Sequence, residues 1–113
     1  MSFHFTKNSI TLTQGDTLTI PVDFHQPIDG ATIRIQVYQA NKIEPVIDKT
    51  ITNHTDPEQG KTVLLIEKEL TNIPAGEYQI QMTITFLDGN RYTFYPPNPA
   101  TQASFHIIPA ILF

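Results

Sequence analysis

A run of strict apolar–polar alternation, closed by a tight-turn dipeptide, constrains this chain more than any other feature. The segment Glu77-Tyr78-Gln79-Ile80-Gln81-Met82-Thr83-Ile84-Thr85-Phe86 alternates without exception from Tyr78 onward. Pro74-Ala75-Gly76 opens it, Asp88-Gly89 closes it, and a second β-rich run, Arg91-Tyr92-Thr93-Phe94-Tyr95, follows. Successive strand side chains point to opposite faces, so the pattern demands one dry face and one wet face. Asp-Gly between two such runs is a hairpin signal. Antiparallel sheets with one solvated face meet both demands.

The rest of the chain repeats the code. Residues 9–13 alternate and end at Gln14-Gly15-Asp16. In residues 17–24, Leu18, Ile20, Val22 and Phe24 share one face. Pro21 falls on the other face and cannot donate to a ladder, which predicts an edge strand, a bulge, or an amide position turned to solvent. After a loop over 25–30, residues 31–38 place Ile33, Ile35 and Val37 inward, and 46–52 place Ile47 and Ile51 inward. The longest polar loop covers 53–60. Residues 61–70 read as one strand whose Val63-Leu64-Leu65-Ile66 run is apolar on both faces, as in a central strand or one covered at an interface. A corner over 71–76 has room for a single helical turn at Asn72-Ile73-Pro74. Pro96-Pro97-Asn98-Pro99 interrupts the chain after the hairpin, and 103–108 forms a last strand; residues 3–5 read as a short strand or arm. Seven or eight short strands at this turn spacing predict an all-β, immunoglobulin-like antiparallel β-sandwich, one domain over residues 1–113. That length buries a core without cross-links, and the chain has no cysteine.

Composition narrows function mainly by exclusion. The net charge is −4 and the seven Lys and Arg residues are scattered, which argues against a nucleic-acid partner. No apolar run approaches the roughly 20 residues of a membrane span. The start, Met1-Ser2-Phe3-His4-Phe5-Thr6-Lys7, lacks a basic n-region and an apolar h-region, so the expectation is a soluble protein made in a cytoplasm. Of the four histidines, His4, His25, His54 and His106, none stands at metal-ligand spacing from another, and each reads as a solvated polar residue. Ser2, Ser9 and Ser104 sit in no Gly-x-Ser-x-Gly elbow, the eleven carboxylates are dispersed, and the glycines form no phosphate loop. The Asp56–Gly60 stretch lacks the ligand spacing of a calcium loop. Hence no enzyme, no catalytic residue, no cofactor and no metal are expected.

What remains is surface. Val63 and Leu65, together with Ile108, Ile111, Leu112 and Phe113, form candidate interfaces, because a soluble domain rarely leaves so much contiguous apolar surface wet. The tail over 109–113 packs back on its own sandwich, pairs with another subunit to make a homo-oligomer, or continues into a further domain. An alternative is a ligand platform of aromatics, Tyr38, Tyr92 and Tyr95, suited to carbohydrate or adhesion.

The order of signals also resembles a known group. Gly15-Asp16-Thr17 ends the first strand, and Ala31-Thr32-Ile33-Arg34-Ile35 follows Asp29-Gly30. Leu70-Thr71, Pro74-Ala75-Gly76-Glu77-Tyr78 and the Asp88-Gly89 hairpin come later. Over roughly residues 8–108 this resembles the immunoglobulin-like N-terminal domain of phage baseplate upper proteins, from tailed phages and prophages of Gram-positive bacteria. Tyr78 stands where a tyrosine-corner hydroxyl sits. The resemblance implies a non-catalytic virion structural protein, assembled in the bacterial host cytoplasm. It would act through contacts with other phage structural proteins, docking into a tail or baseplate and helping to present receptor-binding proteins.

The alternation makes a sharp stability prediction. Ile80→Asp unfolds the domain, whereas Gln81→Asp, one residue along on the wet face, leaves the thermal melt nearly unchanged; equal effects would refute the assignment of faces.

Overall fold

The computed structural model describes residues 9–39, 42–96 and 103–110; the expected arm at 3–5 and the tail positions Ile111, Leu112 and Phe113 lie outside them. Among the described residues eight strands form: β1 Ser9–Thr13, β2 Leu18–Asp23, β3 Thr32–Tyr38, β4 Pro45–Ile51, β5 Lys61–Ile66, β6 Gly76–Thr85, β7 Arg91–Tyr95 and β8 Ala103–Ile108. A 3-10 turn covers Pro57–Gln59 and a one-turn helix, α1, covers Lys68–Thr71.

The strands make two sheets. The larger runs β1-β8-β6-β3-β4 with β7 also on β6; the smaller is β2-β5. The long β6 shares one edge between two partners, pairing β8 over residues 76–80 and β7 over 82–85. With β2 and β5 in one layer and β3, β6 and β8 in the other, and β4 extending the latter, the arrangement is that of an immunoglobulin-like β-sandwich. One pairing departs from the all-antiparallel expectation: β1 runs parallel to β8. The chain leaves β1 for the opposite layer, so β1 pairs with the last strand instead of folding back on its sequence neighbour.

The alternation decides what is dry. Tyr78, Ile80, Met82 and Ile84 of β6, Ile33, Ile35 and Val37 of β3, and Ile47 and Ile51 of β4 are buried as expected. Phe105 and Ile107 of β8 and Ile10 and Leu12 of β1 extend this floor. Leu18 and Ile20 of β2 and Leu64 and Ile66 of β5 descend onto it, each stabilising by roughly 1.5–3 kcal/mol. The centre of the large sheet's outer face is polar, with Arg34, Gln36, Gln81, Thr83 and Ser104 in neighbouring rows, and exposed Val46 and Ile108 stand to either side on β4 and β8. Gln36 and Thr83 are nonetheless covered, because each lies on a central strand flanked on both sides.

Two sequence expectations need correction. The strand expected over 61–70 stops at Ile66, and the chain turns helical at Lys68–Thr71, before the expected position at 72–74. The buried Thr71 hydroxyl donates to the Asp16 carbonyl at 2.6 Å, and the Gly15 amide donates to the Thr71 carbonyl. This tie to the β1–β2 turn comes from a part of the chain 55 residues away, beyond any local propensity. His54 is not a solvated loop residue. Its Nε2 lies 2.7 Å from the Ala31 carbonyl and its Nδ1 2.9 Å from the Thr62 hydroxyl. A carbonyl only accepts, so Nε2 carries a proton and donates to Ala31. The ring thereby staples the 52–60 loop to β3 and β5.

The same loop depends on Gly60, at φ +77° and packed directly against the backbone of Gln26, where no side chain fits. Its carbonyl accepts from the Phe24 amide, and the Pro57 carbonyl accepts from the Ile28 amide. At the opposite end of the sandwich, the Tyr78 hydroxyl donates to the Pro74 carbonyl at 2.6 Å, forming the expected tyrosine corner. Burial raises the Tyr78 phenol above its ordinary value, which keeps it a donor.

Tyr78→Phe keeps the ring and removes that bond. A loss of about 0.5–1.5 kcal/mol is expected, read as a melting temperature lower by roughly 2–8 °C with the circular dichroism spectrum unchanged.

Candidate functional site

The sandwich has two unlike exteriors. On the small sheet, Thr19 stands opposite Leu65, Pro21 opposite Val63, and Asp23 opposite Lys61. Val63 is 37 % and Leu65 40 % exposed, and Pro21 and Thr19 are exposed beside them. The result is an outward apolar patch on two short strands, in contrast to the polar centre of the large sheet's outer face. The doubly apolar run of β5 is therefore not a central strand: β5 is paired along its length with β2 alone among the described residues, and Val63 and Leu65 face out. Pro21 lies on an edge strand, as expected.

The other candidate interface residues are not joined to this patch. Ile108, 46 % exposed, lies opposite Thr13 on the outer face of the large sheet, across the sandwich from Val63 and Leu65. Pro109 and Ala110 after it are exposed.

The three tyrosines do not make a platform. Tyr95 is 3 % exposed and pairs with Met82 on the inner face. Tyr38 is half-buried at the far end of β3, opposite Gln79, while Tyr92 stands opposite Ile84 near the other end of β6. A register shift in the β6–β7 ladder, beside Phe94, is the reason: it lets Phe94 and Tyr95 both pack on the core.

Tyr92 instead joins a groove that strand alternation does not reveal. Phe86 meets Tyr92 edge-on at 5.8 Å between ring centroids, and Phe24 meets Phe94 edge-on at 5.0 Å. With Gln26, Asp29 and Asn90 at the rim and buried Ile84 beneath, they line an open groove of about 560 Å³. The only sequence sign of this groove is the density of aromatics flanking Asp88-Gly89; the contribution of Phe24 arises from the packing of two layers.

Ion pairs are peripheral. Arg34 forks onto Asp48 at 2.9 and 2.6 Å across β3 and β4, and holds that carboxyl below its ordinary value. Lys49 reaches from β4 to Glu67, at the end of β5, at 2.5 Å, and lowers the Glu67 carboxyl likewise. Among the described residues no group of three or more His, Asp or Glu side chains is placed to hold a metal ion, and no helix is long and apolar enough to cross a membrane. No known protein family matches the chain, and no curated protein does either.

Both depressed carboxyls set the sign of an acid response. Their stabilisation is full above the ordinary values of 3.8 and 4.5 and fades as pH falls through the lowered ones. The melting temperature should therefore fall on acidification from about pH 5 to pH 3. Glu67→Gln should flatten part of that slope while costing less at pH 7 than Tyr78→Phe, since both pairs are substantially exposed.

Proposed function

We propose that this domain is a non-catalytic structural part of a phage tail or baseplate, acting through protein–protein contacts in assembly or in the presentation of receptor-binding proteins. The observation that carries the contact reading is the Thr19, Pro21, Val63 and Leu65 patch. Val63 and Leu65 adjoin Pro21 on the exterior of the smaller sheet, while the centre of the larger sheet's exterior is polar and its exposed Val46 and Ile108 stand apart on β4 and β8. A flat apolar patch with charged Asp23 and Lys61 at its margin has the anatomy of a protein interface, a dry centre and a polar rim. The assignment to a phage particle rests on the order of turn and strand signals from Gly15-Asp16-Thr17 to Asp88-Gly89. The tyrosine corner at Tyr78 fits the sandwich fold that this resemblance implies.

A second reading follows from the groove. Rings of Phe86 and Tyr92 beside Asp29, Asn90 and Gln26 combine flat apolar surface with hydrogen-bonding groups, the chemistry that binds a sugar ring.

Particles from a host that carries this chain provide the test. The chain should remain in purified tails at fixed stoichiometry. Val63→Asp with Leu65→Asp should be lost from them by at least about tenfold, while melting like the parent. A chain absent from the particles refutes the structural reading. Saturable binding of cell-wall saccharide, abolished by Tyr92→Ala, would establish the second reading in its place.

A further inference from the structure

The small sheet has two outer edges, and they are not equivalent. The Phe24 amide donates to the Gly60 carbonyl, so even-numbered residues of β2 direct their backbone groups toward β5. Odd-numbered ones direct theirs away. Pro21 therefore withholds a donor from the outer edge of β2, the usual way of blocking a further strand. On β5 the same parity sends the amides and carbonyls of Lys61, Val63 and Leu65 outward. The parity is confirmed independently: Lys61 exchanges both of its backbone hydrogen bonds with Asp56, on the side away from β2. Among the described residues nothing pairs with Val63 or Leu65 on that side. The other edges are guarded: β4 begins at Pro45 and turns Lys49 inward, β1 and β7 have five residues each, and the β6–β7 ladder is irregular.

We propose that the open edge of β5 pairs antiparallel with β5 of a second copy of this chain, joining the two small sheets into one four-stranded sheet, β2-β5-β5-β2. The register follows from the groups left free. Val63 opposite Leu65 of the second copy, and Leu65 opposite its Val63, give two reciprocal pairs and four N–H···O bonds. Sliding by two residues either way leaves one reciprocal pair, because Lys61 is already taken by Asp56 and the Glu67 carbonyl by the Leu70 and Thr71 amides. Sliding by one would turn the apolar face over. In the favoured register the exposed Val63 and Leu65 side chains of both copies form one continuous surface. Pro21 lies at both outer ends of the joined sheet, so growth stops at two copies. The inference deepens the contact reading above and rests on it for its biological role.

Sedimentation of the full chain across a dilution series should show a species of twice 12.8 kDa. Leu65→Pro removes an outward amide without touching the β2–β5 ladder, and should weaken the dimer by roughly tenfold or more. Leu65→Lys, which keeps the backbone intact, should weaken it in the same direction. Because the chain has no cysteine, introduced thiols report register. An oxidised equimolar mixture of Val63→Cys and Leu65→Cys should cross-link as the mixed pair, at about 5.5 Å between Cα atoms. Either variant alone should cross-link far less. A chain that stays at monomer mass, or single variants that cross-link as well as the mixture, overturns the proposal. If such a monomer still enters tails, the contact reading survives and the self-pairing does not. A dimer in solution that never enters tails separates the two the other way.

Discussion

The seating of β2 and β5 on the inner face of β3 and β6 is the contact on which the rest depends. Leu18, Ile20, Leu64 and Ile66 fill the space above Ile33, Ile35, Ile80 and Met82, and all are essentially removed from water. An isolated two-stranded ribbon is marginal in water, so the small sheet owes its existence to this burial. The larger sheet owes it the cover for its dry face. Each layer is thus a condition of the other, and the pairings β2–β5 and β3–β6 are made together.

Around that core the ends are closed by polar ties, some local and some of long sequence range. Tyr78 to Pro74, Thr71 to Asp16 and His54 to Ala31 and Thr62 each give a buried or half-buried polar group a defined partner. Such bonds contribute modestly in net terms, but leaving any of these groups unpaired would cost more than forming the bond gains. They therefore select one arrangement of the loops. The 52–60 loop shows the economy of this: a glycine against the Gln26 backbone, a 3-10 turn, and one imidazole hold it in place of a further strand.

The missing strand has a consequence for the surface. In a sandwich where another strand followed β4 in the small sheet, it would cover the outer edge of β5. Here, among the described residues, the Asp56 bridge occupies that edge at Lys61 only, and the exposed Val63 and Leu65 lie just beyond it. The centre of the large sheet's exterior, with its Arg34–Asp48 fork, has the opposite character. The contiguity of Val63 and Leu65 beside an unpaired edge is the physical basis of the assembly reading proposed above.

The sequence by itself determined which residues are dry and where the chain turns. The period of two is written into each strand, so Ile80, Met82, Ile84, Ile33, Ile35, Ile47 and Ile51 could be placed inward from spacing alone, and the Asp88-Gly89 hairpin and the Tyr78 corner are local in sequence. Val63 and Leu65 were legible as surplus apolar residues for the same reason. Tertiary structure decided everything that depends on which strand lies beside which. It put β5 at an edge, set β1 parallel to β8, separated Ile108 from Val63, buried Tyr95 beside an irregularity in the β6–β7 ladder, and drew Phe24 to Phe94 to wall the groove around Tyr92. Alternation assigns each side chain a face within its own strand, but it carries no label for the neighbouring strand. Those choices follow from closing two layers over one shared core.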